Sequence, residues 1–267
     1  MRIILTGKNS YISSNICNYL LSHGFDAECI SIRNGVDGID LRGADAIIHC
    51  AAIVHKRESD YKDEYDKVNY ELTKALADKA VKYGVKHFVF LSTMAVYGVT
   101  EGKIDKFTKT EPKTLYGKSK LKAEKYLLSL KSDSFRVTIV RPPMVYGKDC
   151  PGNYAKLSKI AKIIPVIPDT ANKKSLIYIG NLSLLIRDII EKNEGGIFMP
   201  MDNEYVSTAD LMRYISKKPC SKILGKALKA LPFGIIKKAF GTLYYGEDIA
   251  ARIDNVSVKE AVRLSER

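Results

Sequence analysis

Short apolar runs alternate with stretches of helical periodicity through the first half of the chain. Arg2–Thr6, Ala46–Ala51 and His87–Ser92 read as strands that are apolar on both faces. Tyr11–Leu21 and Asp66–Tyr83 carry apolar residues at helical spacing, and a glycine follows closely after each. Strands buried on both faces belong to parallel sheets that are covered by helices. The sequence therefore predicts an α/β fold with a Rossmann-type, doubly wound parallel sheet.

The pattern loosens after Pro142 and divides the chain. We expect a dinucleotide-binding domain at residues 1–147 and a smaller mixed α/β substrate lobe at residues 148–267, which has the length to return a strand to the sheet. The second strand is predicted at Glu28–Ile32. Between it and Ala46 the chain is too short for a crossover helix, and we expect a short strand near Gly38–Leu41 instead.

A turn of small residues follows the first strand. Gly7 comes directly after it, and Ser10 and Ser13 stand where dinucleotide-binding turns usually carry further glycines. Small residues let the chain turn tightly and let a pyrophosphate approach the backbone N–H groups at the start of the helix. Because serines replace two of the usual glycines, the dinucleotide-binding motif is incomplete, and a turn of this kind is as often purely structural.

The residue after the second strand bears on the cofactor. NAD-preferring folds place an acidic residue there to hold the ribose 2′-hydroxyl, whereas an arginine suits a 2′-phosphate. Here Arg33 occupies this region and the first acid is Asp37. The sequence thus tilts the choice toward NADP over NAD, with a solvated surface arginine as the alternative.

The strongest signal combines a strand end with a helix start. The strand His87–Ser92 leads into Thr93, and a helix begins with Tyr116 and Lys120, four residues apart and thus on one face. A lysine ammonium beside a phenol favours the phenolate, so we expect Lys120 to lower the pKa of Tyr116 and make it a general acid–base. Thr93 is expected to hold the reacting oxygen. The same spacing also occurs by chance in ordinary exposed helices, but its position behind a dinucleotide turn favours catalysis.

These motifs carry a family resemblance over residues 1 to about 147. Thr6-Gly7, Ala51-Ala52, Ser92-Thr93, Tyr116 with Lys120, and Arg141-Pro142 occur in the order found in extended short-chain dehydrogenase/reductases of the NAD-dependent epimerase/dehydratase group. The resemblance implies that Thr93, Tyr116 and Lys120 are catalytic. It implies a cofactor site formed by Gly7, Ser10, Tyr11, Ile12, Arg33, Asp40, Leu41, Cys50, Ala51, Ala52, Ser92, Pro142 and Met144, and substrate contacts from Met94, Asn153 and Lys174.

A narrower resemblance concerns the reaction. Segments 90–98, 141–147 and 164–168 are similar to capsule-type reductases of UDP-2-acetamido-2,6-dideoxy-4-hexulose, which implies NAD(P)H-dependent reduction of a 4-keto UDP-sugar. Met94 follows Thr93 where the family's dehydratases have an acid, which argues against dehydration. Met144 stands where well-studied 4-epimerases have asparagine, and Lys174 replaces a phosphate-binding arginine. The alternatives are a UDP-sugar 4-epimerase and a non-catalytic dinucleotide-binding scaffold at a membrane assembly.

The formal net charge of +13 is concentrated near the C-terminus. Residues 211–246 hold eight lysines and arginines and no acid, interleaved with apolar residues. We favour helices that pack an apolar side inward and expose lysines; the alternative is weak contact with an anionic membrane surface or a polyanionic sugar carrier. We expect no nucleic-acid partner, no metal site, a UDP-sugar substrate, a homodimer and a cytoplasmic location.

Overall fold

The computed structural model describes residues 1–54, 61–231 and 239–267. The chain forms two compact units. The first consists of Met1–Gly98, Lys109–Pro142 and Leu182–Met199. The second consists of Val99–Thr108, Pro143–Asn181 and Pro200–Arg267.

A parallel sheet organises the fold. The strands are β1 (Arg2–Thr6), β2 (Asp26–Ile30), β3 (Ala46–His49), β4 (His87–Leu91), β5 (Gly102–Ile104), β6 (Arg136–Val140), β7 (Met144–Tyr146), β8 (Ile167–Pro168), β9 (Leu176–Tyr178), β10 (Gly196–Asp202), β11 (Cys220–Ser221), β12 (Leu243–Tyr245) and β13 (Ala250–Ile253). One sheet has seven strands in the order β13-β10-β6-β4-β3-β1-β2, and β10, β6, β4, β3, β1 and β2 pair in parallel along it. The predicted Rossmann-type α/β fold is confirmed.

The helices start where the sequence supplies caps. They are α1 (Tyr11–Ser22), α2 (Lys62–Asp66), α3 (Leu72–Lys82), α4 (Leu115–Ser129), α5 (Asn153–Ile163), α6 (Ile179–Glu191), α7 (Thr208–Ser216), α8 (Lys222–Ala230) and α9 (Val258–Ser265). Ser10 and Thr114 cap α1 and α4 by accepting hydrogen bonds from the N–H groups of Ser13 and Gly117. A wider π-helical turn, Lys67–Glu71, joins α2 to α3.

The connection from β2 to β3 is confirmed to lack a crossover helix, but the strand expected at Gly38–Leu41 is wrong. This segment closes local turns instead: Gly35 N–H donates to Ile32, Ile39 N–H to Val36 and Ala44 N–H to Leu41. Side chains outside the segment satisfy further carbonyls, because Lys79 donates to Val36 and Asp37 and Arg2 donates to Arg42.

The first unit's core lies between the sheet and the helices that cover it. Every residue of β4 is buried, as the continuous apolar run predicts for a central parallel strand. Phe88, Phe90, Val137 and Ile139 pack there in one buried cluster with Leu127 of α4. At about 25 cal/mol per Å² of apolar area removed from water, such side chains contribute most of the favourable folding free energy. The core thereby fixes α4 against the end of β4.

The basic segment in the second unit behaves differently in its two described helices. In α7, Leu211 and Met212 are buried, as expected. In α8 the expectation of an inward-packed apolar side is wrong, because Ile223 is 81% exposed and Leu224 46% exposed. Residues 232–238 of the segment lie outside the described residues. Across the described ranges, no helix has the length and hydropathy needed to cross a membrane.

Candidate functional site

Three parallel strands end at the same edge of the first unit's sheet. β1 ends at Thr6, β3 at His49 and β4 at Leu91, and the register places Thr6 opposite His49 and His49 opposite Phe90. Open α/β sheets bind ligands at the carboxyl ends of their strands. The segments after these strands hold most of the predicted site residues.

The turn after β1 is tightly packed. Gly7 has φ +98°, and a Cβ at this position would lie 3.1 Å from Ser10 Oγ and 3.3 Å from the backbone nitrogen of Ala51. Its N–H donates to the Ile30 carbonyl at 3.1 Å. Only glycine fits this backbone and this spacing without strain. The turn therefore brings the N-terminus of α1 close to the segment after β3, as a pyrophosphate-binding turn requires.

A buried polar chain fixes the end of β3. His49 Nδ1 lies 2.6 Å from Thr6 Oγ1, and His49 Nε2 lies 2.8 Å from Thr73 Oγ1. Thr73 donates its own proton to the Asn69 carbonyl at 2.9 Å, so it accepts from Nε2, and Thr6 donates to Nδ1. Burial lowers the pKa of His49 to about 3, and the Lys120 charge adds to the effect. His49 is thus a neutral structural histidine.

Asn69, in the π-helical turn, holds the chain that follows β3. Its Oδ1 accepts from the Ile53 N–H at 2.8 Å, while its Nδ2 donates to the Ile53 carbonyl and to Ser119 Oγ, both at 3.1 Å. Ala51 N–H donates to Thr6 Oγ1 at 3.3 Å. The predicted cofactor residues Ala51 and Ala52 therefore lie on a segment anchored at both ends.

Thr93 and Tyr116 meet between β4 and α4. Thr93 caps a short 3₁₀ turn at Met94–Tyr97, accepting from the Ala95 N–H at 3.1 Å, and Tyr116 lies in the first turn of α4. A Cβ on Gly117 would lie 2.9 Å from the Ala95 carbonyl oxygen, so α4 packs directly on that turn. The close packing brings the two side chains near each other, and the Thr93 hydroxyl acts to lower the pKa of Tyr116.

The protonation of Tyr116 departs from expectation. Burial raises the pKa of Tyr116 to about 12, and only the Thr93 hydrogen bond opposes this. The prediction that Lys120 lowers this pKa is therefore wrong for the structure described here. The phenol of Tyr116 is therefore protonated near neutral pH.

Lys120 lies one turn further along α4 and is buried. Its Nζ lies 3.9 Å from the centroid of the Phe90 ring. Burial lowers the pKa of Lys120 to about 7, while the negative charge of Glu124 opposes that fall. Cys50 itself remains a thiol, because burial raises its pKa to about 12. A buried amine with so depressed a pKa is typical of a functional site rather than of a structural lysine.

A buried ion pair one helical turn beyond Lys120 was not predicted from the sequence. Glu124 accepts from Arg141 through both of its oxygens, at 3.1 and 2.6 Å, and from Ser92 Oγ; Arg141 also donates to Tyr97 Oη at 2.9 Å. These contacts join the end of β4, the 3₁₀ turn, α4 and the end of β6. The sequence feature that could have pointed to this pair is the position of Glu124, four residues after Lys120 and therefore on the same helix face.

The remaining predicted cofactor residues differ in exposure. Arg33 is exposed after β2. Asp40 forms a surface ion pair with Arg42, which holds the pKa of Asp40 below its usual range. Leu41 is fully buried in the core. The carbonyl of Pro142 accepts from the Met94 N–H at 3.0 Å. Their contacts with a cofactor stay predictions, as do those of Tyr11 and Ile12 at the start of α1.

Three further predicted residues belong to the second unit. Met144 lies in β7, Asn153 is exposed at the first position of α5, and Lys174 exchanges backbone hydrogen bonds with Val206 at 3.0 and 3.1 Å. Burial lowers the pKa of Lys174. Among the described residues, no three His, Cys, Asp or Glu side chains group as metal ligands.

Comparison with known proteins gives a consistent result. The model of the family described as "NAD dependent epimerase/dehydratase family" matches residues 3–190. UDP-glucose 4-epimerase of Vibrio cholerae is 32% identical, over 94% of this chain and 84% of its own length. UDP-2-acetamido-2,6-beta-L-arabino-hexul-4-ose reductase of Pseudomonas aeruginosa is 26% identical, over 79% of this chain and 56% of its own length. The crystal structure of UDP-glucuronic acid 4-epimerase from Bacillus cereus with NAD has a TM-score of 0.75 at 18% identity, covering 100% of this chain and 97% of the other.

Proposed function

The chain belongs to the NAD dependent epimerase/dehydratase family, and from that premise we propose that it transfers hydride and a proton at C4 of the sugar in a nucleoside-diphosphate sugar. The observation that carries the proposal is the packing of α4 on the 3₁₀ turn, which brings Tyr116 near Thr93, one helical turn before the buried Lys120. A phenol beside a hydroxyl and a tunable ammonium suits reversible oxidation of a secondary alcohol. Thr93, Tyr116 and Lys120 are the residues that the sequence predicts to be catalytic.

The residues of the first unit fit a nicotinamide dinucleotide. The Gly7 turn leaves no room for a side chain, and α1 presents its N-terminus there with Ser10 as its cap. When bound, the oxidised nicotinamide would accept hydride from C4, and its positive charge would favour the phenolate of Tyr116. Gly7, Ser10, Ala51 and Ala52 would hold the pyrophosphate side, and Lys120 the nicotinamide ribose.

Tyr116 Oη is the proton-transfer atom in this proposal. Oxidation starts from the phenolate form of Tyr116: as C4 loses hydride, the bond between O4 and its proton breaks and the phenolate oxygen takes up the proton, leaving a 4-keto sugar and a neutral phenol. On return of the hydride to C4, Tyr116 gives the proton back to O4. Thr93 Oγ1 orients O4 beside the phenol, and the ammonium of Lys120 stabilises the phenolate whenever Tyr116 has lost its proton.

Epimerisation at C4 is our first candidate for the overall reaction. In an epimerase, hydride returns to the opposite face of C4, so the cofactor is regenerated in each turnover. The 4-epimerase relative is more similar than the reductase, and the match covers more of both chains. Comparison thus reverses the order favoured by the sequence alone, which placed reduction of a 4-keto UDP-sugar first.

Reduction of a 4-keto UDP-sugar is the second candidate, and one observation favours it specifically. The pKa of Tyr116, raised to about 12, keeps the phenol protonated, which is the form that donates to a new alkoxide. Arg33, exposed after β2, would suit the 2′-phosphate of NADPH, the usual stoichiometric reductant. For either reaction the cofactor is NAD or NADP, with NADP expected if reduction is the physiological role.

A paired assay separates the two reactions. Purified protein is incubated with UDP-glucose or UDP-N-acetylglucosamine and NAD, and the C4 epimer is quantified by chromatography. A parallel reaction with a UDP-4-keto-6-deoxy sugar follows NAD(P)H by absorbance. Epimer formation without net cofactor change supports the first candidate, and stoichiometric NAD(P)H loss supports the second.

The control for this assay is a tyrosine on the same helix. Tyr116→Phe should abolish whichever activity is found, by at least about a hundredfold. Tyr126→Phe removes a hydroxyl that donates to Asp78 at the surface and should leave activity unchanged. Absence of both activities in the wild-type protein, or full activity in Tyr116→Phe, would refute C4 chemistry at this site.

A further inference from the structure

Helix α8 exposes its apolar residues. Ile223 is 81% exposed, Leu224 46% and Leu231, directly after the helix, 40%. The helix packs through Gly225, where a Cβ would lie 1.8 Å from the Asp169 carbonyl oxygen, so backbone meets backbone on that side. Ile223 and Ala227 lie four residues apart on an exposed face. In an ordinary surface helix the apolar stripe faces the core, whereas here Ile223 and Leu224 are exposed and Leu228 is half-buried.

Lysines flank this apolar face. Lys222, Lys226 and Lys229 follow the spacing of a neighbouring helix face and are all exposed. None of the three has a carboxylate partner among the described ion pairs, which include Arg213 with Asp210 and Lys162 with Glu266. Three positive charges beside exposed isoleucine and leucine form a basic, apolar surface without local neutralisation.

Two acids whose charges act on Cys220, just before α8, both make other contacts. Asp169 Oδ1 accepts from the Ala171 N–H at 2.8 Å, and Asp210 pairs with Arg213 at 2.8 Å. No Asp or Glu occurs in the sequence from residue 211 to residue 246. The charge around α8 therefore favours a negatively charged partner.

A second exposed apolar residue lies near the strand on which α8 packs. Helix α5 ends at Ile163, which is 79% exposed, and the chain then enters β8, the strand that α8 contacts. Ile160, one turn earlier, is 48% exposed. Isolated exposed aliphatic residues are common, but Ile223, Leu224 and Leu231 lie within nine residues of one another and beside three exposed lysines, which indicates an interaction surface.

We propose that α8 docks on the surface of an anionic lipid bilayer, with Ile223, Leu224 and Leu231 entering the headgroup–acyl boundary and the three lysines contacting lipid phosphates. This arrangement follows the physics of interfacial helices, in which apolar area and basic charge act together. Lysines near an anionic leaflet each add attraction that salt screens. The proposal is independent of the reaction at the site in the first unit.

Vesicle sedimentation tests the proposal on the full-length protein. Protein is mixed with phosphatidylcholine vesicles, either pure or containing about 40 mol% phosphatidylglycerol, at low salt and at about 0.5 M salt. We expect co-sedimentation with the anionic vesicles only, weakened at least about tenfold at high salt. No sedimentation with anionic vesicles, or equal sedimentation with both kinds, would overturn the proposal.

Two variants separate the apolar from the electrostatic contribution. Ile223→Ser/Leu224→Ser and Lys222→Glu/Lys226→Glu should each weaken vesicle binding about tenfold or more. All four positions are exposed, so the fold should be retained, which circular dichroism checks. The matched control is Val81→Ser/Lys82→Glu near the end of α3, also at exposed positions.

The same variants distinguish lipid from a second copy of the chain. If Ile223→Ser/Leu224→Ser changes the mass measured by light scattering while vesicle binding stays at the wild-type level, the face binds another protein and the proposal is wrong. Equal vesicle binding by the α8 variants and the α3 control would also contradict it. Loss of vesicle binding at unchanged mass supports it.

Discussion

Glu124 and Arg141 form a buried, bidentate ion pair, and their side chains are 1% and 9% exposed. Glu124 lies one turn after Lys120 on α4, and Arg141 directly follows β6. The pair therefore ties the helix that carries Tyr116 and Lys120 to the sheet edge that carries Thr93. The negative charge of Glu124 also keeps the pKa of Lys120 from falling further.

The first prediction is that Glu124→Gln destabilises the protein and shifts its pH–activity profile. Removing one charge leaves Arg141 buried without its partner, which costs about 3–5 kcal/mol of unfolding free energy. The pKa of Lys120 should fall below about 7, so the basic limb of the kcat/KM profile should move to lower pH. Urea denaturation and pH-dependent kinetics measure the two effects.

Glu71→Gln is the control, because Glu71 is exposed and lies 4.0 Å from Lys122. A Glu124→Met/Arg141→Met double variant should regain part of the stability, since it leaves no unpaired charge. An unchanged pH profile in a folded Glu124→Gln variant would show that Glu124 has no role in tuning Lys120.

The second prediction is that Lys120→Met makes the protein more stable and inactive. The pKa of Lys120 is about 7 in the folded protein and near 10.5 when exposed, so the unfolded chain binds this proton more tightly. This penalty on the folded state is full below about pH 7 and disappears as pH rises towards about 10.5. The variant should thus melt several degrees higher near neutral pH, with the gap closing in alkali, while activity falls at least about a hundredfold.

Differential scanning calorimetry at several pH values, with Lys118→Met as the exposed control on the same helix, measures this difference. A Lys120→Met variant that is less stable than wild type at neutral pH would mean that the contact of Lys120 with Phe90 and its attraction to the Glu124 charge outweigh its desolvation.

Periodicity was sufficient to locate much of the first unit. The bounds of β1 match the prediction to the residue, α1 ends one residue later than predicted, and β4 ends one residue earlier. Tyr116 and Lys120 could be placed on one face because helical spacing is a local property of the chain. The contact of Tyr116 with Thr93 followed from their positions at a strand end and a helix start.

Tertiary packing decided what the sequence did not show. Glu124 and Arg141 are 17 positions apart, and only the docking of α4 on β6 makes them a pair. The pKa of Tyr116 depends on burial, which outweighs a lysine that spacing alone places nearby. In α8 the inward face is set by the backbone approach at Gly225, not by the apolar residues. The local sequence pattern locates helices and strands, but the ion pair, the pKa of Tyr116 and the orientation of α8 depend on what each helix packs against.

The third prediction is acid sensitivity centred on His49. The pKa of His49 is lowered to about 3 by burial, so between about pH 6.5 and 3 the unfolded chain takes up a proton that the folded chain refuses. Unfolding free energy should therefore fall as pH falls through this window. Burial also lowers the pKa of His87, to about 4, and this adds to the loss.

His49→Asn should lower stability at neutral pH, because hydrogen bonds with Thr6 and Thr73 are lost or weakened. It should also flatten the decline between about pH 6.5 and 4.5, leaving the smaller contribution of His87. His23→Asn, an exposed position beside Tyr19, is the control and should keep the wild-type slope. Equal slopes in all three proteins would assign the acid sensitivity to other groups.

The fourth prediction separates backbone strain from cofactor binding at Gly7. Gly7→Ala and Gly24→Ala both put a side chain on a backbone with positive φ, +98° and +81°, so each should cost about 1 kcal/mol of stability. Only at Gly7 does the new Cβ meet neighbours, Ser10 Oγ at 3.1 Å and Ala51 N at 3.3 Å; at Gly24 it meets open space. Relieving the contact at Gly7 moves Ser10 or the Ala51 segment, both of which are predicted to hold the pyrophosphate. Gly7→Ala should consequently weaken NAD(H) or NADP(H) binding about tenfold or more in isothermal titration calorimetry, whereas Gly24→Ala should bind as wild type does. Equal affinities in the two variants would mean that the β1–α1 turn packs the fold without contacting the dinucleotide.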